Sequence, residues 1–292
     1  MSGKSLNNSV KWWNYYLPLR WTFATRYINV INVINVISFF LIDAMPSCYV
    51  VLAFRGFDID IALYWLLSFY VMFCFYECGY IFNETISVRY EAKPTIRIPE
   101  PYFSKILKHV ENLVTIRLAL GTLGSWILVS KFPENRELYV LLVLMLLIAY
   151  SVHNFYRNKI NIMTMALEVS LKYMIPICLF VPVQDMSAAF AIIFLTIVLM
   201  RLIEYISKKG FYARIRVIGD VDTFRIKYYG ALCIFMAAAC YLEFFPAILC
   251  GLPLIFLLYR LSSWYLMSHS GRVAEVINRG RKNHGTLAAK GK

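Results

Sequence analysis

A chain of 292 residues that is 60% hydrophobic, with a mean hydropathy of +0.60, exceeds the apolar share of a soluble domain and carries repeated runs of membrane-spanning length. Its formal net charge of +13 is dispersed over loops that contain no soluble binding module, which argues against nucleic acid as a partner. These numbers read as an all-α, polytopic membrane bundle.

Residues 1–28 form an N-terminal segment whose polar and aromatic start, MSGKSLNNSVKWWNYYLPLRW, does not resemble a cleavable signal peptide, so the first span is expected to serve as its own anchor. The bundle, residues 29–267, contains apolar spans near 30–53, 59–82, 113–130, 138–153, 162–182, 187–206, 228–245 and 247–267. That predicts eight transmembrane helices, with room for a ninth. In the first of them, Asn29, Asn32 and Asn35 make an amide ladder along one helix face. Polar loops at 83–112 and 207–227 interrupt the spans, and the basic tail 268–292 has the composition of a disordered segment that touches anionic lipid.

Most of the Lys and Arg residues fall on one side of this topology. Lys4, Lys11, Arg20 and Arg26 precede the first span; Arg89, Lys93, Arg97, Lys105 and Lys108 lie in the 83–112 loop; Lys208, Lys209, Arg214, Arg216, Arg225 and Lys227 lie in the 207–227 loop. The opposite loops carry Arg55, Lys131 and Arg136. The positive-inside rule then places both termini and the long loops in the cytoplasm, in a membrane of the bacterial inner type.

Ionisable residues within the spans are expensive and therefore candidates for function or for pairing. They are Asp43, Glu77, Arg117, Glu168, Lys172, Arg201, Glu204, Glu243 and Arg260. The i, i+4 spacing of Glu168 and Lys172 predicts an ion pair on one helix. Arg201 and Glu204, just before a Lys-Lys-Gly sequence, are expected to face a cytoplasmic mouth. The seven cysteines show no metal spacing with histidine, and Cys74 with Cys78 reads as a pair of buried thiols.

One stretch is too polar for its place. FNETISVRYEAKPTIR, residues 82–97, directly follows an apolar run. If the helix continues toward Pro94, Asn83, Ser87 and Glu91 share a stripe, with Glu84 beside it, while Arg89, Lys93 and Arg97 line a neighbouring stripe. Hard oxygens beside cations suit a diphosphate bridged by Mg²⁺, with Asn83, Glu84 and Glu91 as metal ligands. A loop of mutually compensating charges is the competing reading.

The pattern resembles the first Asp-rich motif of the UbiA superfamily of intramembrane prenyltransferases, Asn-Asp-x-x-Asp-x-x-x-Asp followed by a basic residue, Pro and Arg. Here Asn83, Glu84, Ser87 and Glu91 and then Lys93, Pro94 and Arg97 stand at those positions. YYLPLRW at 15–21 and AYSVHNFYRNK at 149–159 are similar to further segments of that family. The resemblance implies transfer of a prenyl group from a prenyl diphosphate to an acceptor at a cytoplasm-facing site, with Mg²⁺, and with Glu84, Glu91, Glu204, Asp220, Asp222 and Tyr150 as catalytic candidates. Asn83, Ser87, Arg89, Lys93, Arg97, Lys159, Lys208 and Arg225 are the substrate-binding candidates. His153 is a further candidate for deprotonating the acceptor, and Tyr76, Tyr80 and Tyr150 would stabilise a prenyl cation. The second Asp-rich motif of the family is not recognisable, with Glu204, Lys208, Asp220 and Asp222 near its expected place. Two alternatives stay open: transfer of a phosphorylated sugar onto a polyprenyl phosphate, and non-catalytic binding of a lipid phosphate on the same scaffold. Membrane lipids are partners in every case, and oligomeric state is left open.

Overall fold

The computed structural model describes residues 15–23, 25, 33–90, 98, 100–156, 159–209, 218 and 220–270. Among them there is no strand, and seven helices are long and apolar enough to cross a membrane. The chain is a multi-pass, all-α membrane protein. After a short helical turn, Arg20–Thr22, come α1 (Val36–Arg55), α2 (Ile59–Thr85), a surface helix α3 (Glu100–Lys108), α4 (Val110–Lys131), α5 (Arg136–Phe155), α6 (Ile160–Cys178), α7 (Val183–Ser207), α8 (Val221–Tyr241) and α9 (Gly251–His269). Helix α8 has the length of a span, but Asp222, Arg225 and Lys227 in its first turns lower its apolar content, so it falls outside the seven. The amide ladder at residues 29, 32 and 35 and the tail from 271 lie outside the described residues or side chains.

Burial separates interior helices from lipid-facing ones. In α6, 67% of the span is buried, against 22% in α9. Helix α2 is apolar on all sides, as an interior helix must be, and its second half from Phe69 to Ile81 is almost continuously buried. It packs closely on α4, where Gly124 lies under Val71 and Gly121 under the ring of Phe75. Leu123, Trp126, Leu141, Leu144, Leu254 and Leu258 project outward, an apolar surface that suits lipid. The loop expected at 83–112 contains α3, whose apolar side packs with Tyr15, Trp21, Ile81 and Leu113 into a small second core.

Two widened π turns bring polar groups inward. In α1 the turn Phe40–Ala44 precedes Pro46, which has no N–H to offer the carbonyl of Ile42. The Tyr173 hydroxyl of α6 donates to that carbonyl instead, at 2.8 Å. In α7 the turn Phe194–Val198 presents the carbonyls of Leu195 and Thr196 to the hydroxyls of Tyr228 and Tyr229 on α8. At the far end of α8, a disulfide joins Cys240 and Cys250 across the turn into α9.

Candidate functional site

Helix α2 ends at Thr85, and residues Ser87–Tyr90 form a 3₁₀ turn. This corrects the expectation of one continuous α-helix toward Pro94: the chain tightens into a 3₁₀ turn one residue after Thr85, which changes the spacing of the residues that follow. Asn83 is half-buried, Glu84 and Ser87 are buried, and Arg89 is exposed. Glu91, Lys93 and Arg97 lie outside the described residues.

Against this end of α2 sits the segment that begins at Tyr15. Its anchor is a fully buried ion pair, with Arg117 Nε of α4 donating to Glu77 Oε2 of α2 at 3.0 Å. Glu77 Oε1 also accepts from the Thr22 amide at 2.7 Å, and Arg117 Nη2 donates to the carbonyl of Tyr15 at 2.8 Å. Two turns of helix from Glu77, the Trp21 indole donates to Glu84 Oε2 at 3.1 Å. Burial pushes the Tyr15 phenol up to about 12, with Tyr102 and Glu84 adding to the shift. The N-terminal segment is thus strapped across a carboxylate of the candidate motif.

One turn inward, three tyrosine rings meet edge to face. The Tyr76 centroid is 4.9 Å from that of Tyr80 and 5.0 Å from that of Tyr150. Tyr150 can approach because residue 79 is glycine: a Cβ there would lie 2.2 Å from the Tyr150 ring. The amide of Asn154 then donates to the Gly79 carbonyl at 3.3 Å, fastening the end of α5 to α2.

Helix α6 presents Asn161, Thr164, Glu168 and Lys172 as one stripe, three and four residues apart. His153 Nδ1 of α5 lies 2.9 Å from Thr164 Oγ1 and 3.6 Å from Glu168 Oε1. The predicted Glu168–Lys172 pair is not formed. The π turn of α1 turns Asp43 inward, and Lys172 bonds to Asp43 across the helix interface, with its Nζ 5.2 Å from the centroid of Tyr76 and 5.3 Å from that of Phe73. Arg201 Nη2 of α7 lies 3.8 Å from the same Asp43 oxygen. A fixed partner on another helix has displaced the neighbour one turn away.

The last group joins α7 to α8. Arg225 grips Glu204 with both arms, Nε to Oε1 at 2.5 Å and Nη2 to Oε2 at 2.9 Å, and its Nη1 lies 3.7 Å from Asp222. Asp220 caps α8, accepting from the amides of Asp222 and Thr223. Arg201 leans toward Asp43, while Glu204 binds Arg225. Lys159 is exposed at the start of α6, and the side chain of Lys208 lies outside the described residues.

The candidate residues collect at those helix ends that adjoin the cation-rich loops. The structure brings Glu204, Asp222 and Arg225 into contact and sets Tyr150 beneath Asn83 and Glu84. It gives Asp220 a capping role, for which its position before Val-Asp-Thr at a helix start was the available signal. Sequence reasoning named Glu77, Arg117 and Asp43 singly and paired Lys172 with Glu168, but the pairings that form, Arg117 with Glu77 and Lys172 with Asp43, cross helices and have no mark in local spacing. Among the described residues, no three of His, Cys, Asp and Glu gather to hold a metal. Asn83, Glu84 and Ser87 do offer hard oxygens, and one carboxylate with substrate phosphate is within the habit of Mg²⁺. Comparison with protein-family models, curated proteins and solved structures found no match.

Proposed function

We propose that this chain is an integral membrane transferase of the UbiA type, moving a prenyl group from a prenyl diphosphate to an acceptor at a cytoplasm-facing mouth. The observation that carries the reading is the packing of Tyr150 on Gly79, one turn from Asn83 and Glu84. It unites the two segments whose residues resemble that superfamily, and it sets the rings of Tyr76, Tyr80 and Tyr150 together one to two turns from Asn83 and Glu84.

In this reading Asn83, Glu84 and Glu91 are the residues that would hold Mg²⁺, and the ion would supply charge neutralisation to the leaving diphosphate. Arg89, Lys93, Arg97, Lys159 and Lys208 would supply the cations that its oxygens need. The allylic C–O bond breaks with its electron pair going to diphosphate, the acceptor bonds to the allylic carbon and gives up its proton to His153, and the tyrosine rings face the cationic carbon between those events. Trp21 must release Glu84 Oε2 if both carboxylate oxygens are to serve a metal. The test is release of diphosphate by the purified protein from a panel of prenyl diphosphates with Mg²⁺. Turnover that persists unchanged in Glu84→Ala and Glu91→Ala would remove the roles assigned here.

A second reading, binding of a lipid phosphate without chemistry, is favoured by the engagement of Glu84, Glu204 and Asp220 with protein partners. Bound lipid phosphate in a native mass spectrum, with no product under any substrate mixture, would support it over the transferase.

A further inference from the structure

Arg260 is an intramembrane cation that the mouth at the end of α2 does not use. It stands midway along α9, and its Nε is buried without a hydrogen-bond partner. Among the described residues no carboxylate forms an ion pair with it, and its guanidinium carbon lies 4.9 Å from the centroid of the Tyr259 ring.

The pairing of α8 with α9 decides what faces it. The rings of Tyr229 on α8 and Phe256 on α9 stack, with centroids 5.3 Å apart and 21° between their planes. The two helices run antiparallel on either side of the turn closed by Cys240 and Cys250. One helical turn from the stack toward the 207–227 loop therefore leads to Arg225 on α8 and to Arg260 on α9. The two guanidinium groups stand at one level of the hairpin, close enough to act on each other as like charges. Arg201 of α7 joins them, since all three arginines act electrostatically on the hydroxyl of Tyr229.

The neighbouring counter-charges are already committed. Arg225 holds both oxygens of Glu204 and reaches Asp222, while Arg201 leans on the Asp43 that Lys172 binds. A cation within a span is costly unless an anion meets it, and a second guanidinium opposite raises that cost. What completes the group must be an anion that accepts from Arg260, and the planar forks of arginine fit phosphate oxygens. The surroundings say where it comes from. Helix α9 is the least buried of the seven spans, and Leu258, Leu261 and Trp264 near Arg260, with Ile234 and Phe235 on α8, are exposed apolar residues. The adjoining loop carries Lys208, Lys209, Arg214 and Arg216, which attract anionic headgroups.

We propose that Arg260, with Arg225 and Arg201 beside it, binds the phosphate of an anionic phospholipid whose acyl chains lie on the apolar surface of the α8–α9 hairpin. The site does not rest on the transferase reading.

The test uses the full chain, delipidated in detergent and titrated with phosphatidylglycerol, phosphatidylcholine or inorganic phosphate. Native mass spectrometry reads bound lipid, and a thermal melt is run beside it. Phosphatidylglycerol should bind roughly tenfold more tightly than phosphatidylcholine, the effect of one hydrogen bond from a charged group, and should raise the Tm where inorganic phosphate at the same concentration does not. The preference should vanish in Arg260→Leu and fall severalfold in Arg260→Lys, which keeps the charge but not the fork. Without lipid, Arg260→Leu should melt no lower than the wild type, because it removes a buried cation that lacks a counter-ion. Equal binding of the two lipids, a preference that survives Arg260→Leu, or a lower Tm for that variant without lipid overturns the proposal. An Arg260-dependent rise in Tm with inorganic phosphate equal to that with phosphatidylglycerol overturns the choice of a lipid. Displacement of phosphatidylglycerol by geranyl diphosphate would make Arg260 part of the substrate mouth and overturn a separate lipid site.

Discussion

Replacing Arg117 by Leu should loosen the whole cytoplasmic end of α2. Arg117 and Glu77 are both 0% exposed, and the guanidinium also donates to the carbonyls of Leu113, Tyr15 and Leu17. Removing one member of such a pair strands a buried carboxylate, a loss of about 3–5 kcal/mol. For a chain of this size each kcal/mol corresponds to about 2 °C, so the apparent Tm in detergent should fall by roughly 6–10 °C. The Thr22 amide, bonded to Glu77 Oε1, and the Trp21 indole, bonded to Glu84, should lose protection with it. Hydrogen exchange over residues 15–25 and limited proteolysis read this local opening directly. A double variant, Glu77→Leu with Arg117→Leu, should recover part of the Tm, since no charge is stranded, yet leave the N-terminal segment exchangeable because its carbonyl contacts to Arg117 are gone. The reasoning fails if Arg117→Leu costs less than about 1 kcal/mol, or if exchange in residues 15–25 stays at the wild-type rate.

Gly79→Ala should displace the Tyr150 ring and cost about 1–3 kcal/mol by overpacking; adding Tyr150→Leu should restore much of the lost thermal stability. Lys172→Met should destabilise by about 3–5 kcal/mol because Asp43 is left buried, and Asp43→Asn combined with it should recover part of that loss in a melting experiment. Asp220→Asn should leave both stability and diphosphate release unchanged, as a capping residue would, whereas Asp220→Ala should cost about 1 kcal/mol. Loss of turnover in Asp220→Asn at unchanged Tm would instead make it part of the chemistry.

Much of the architecture was legible along the chain. A lipid environment forces long apolar helices with their backbone bonds satisfied internally, so α2, α4, α5, α6, α7 and α9 stand close to the spans that the apolar runs predict. The polarity of the end of α2 was legible for the same reason, since Asn83, Glu84 and Arg89 are costly in hydrocarbon. Helix ends were harder. The stop at Thr85 and the 3₁₀ turn after it carry no Gly or Pro signal, and α3 is a short amphipathic helix whose stability comes from docking on Tyr15, Trp21 and Leu113.

Sequence alone determined that the chain is an all-α membrane bundle, and which residues are too polar to face lipid. Tertiary structure decided which of those residues meet. Local spacing pairs Glu168 with Lys172, but a buried charge takes the partner that packing holds against it. The π turn before Pro46 holds Asp43 there. Glu168, left beside His153, Thr164 and the tyrosines, gained its place in the candidate site from a turn in a helix more than a hundred residues earlier.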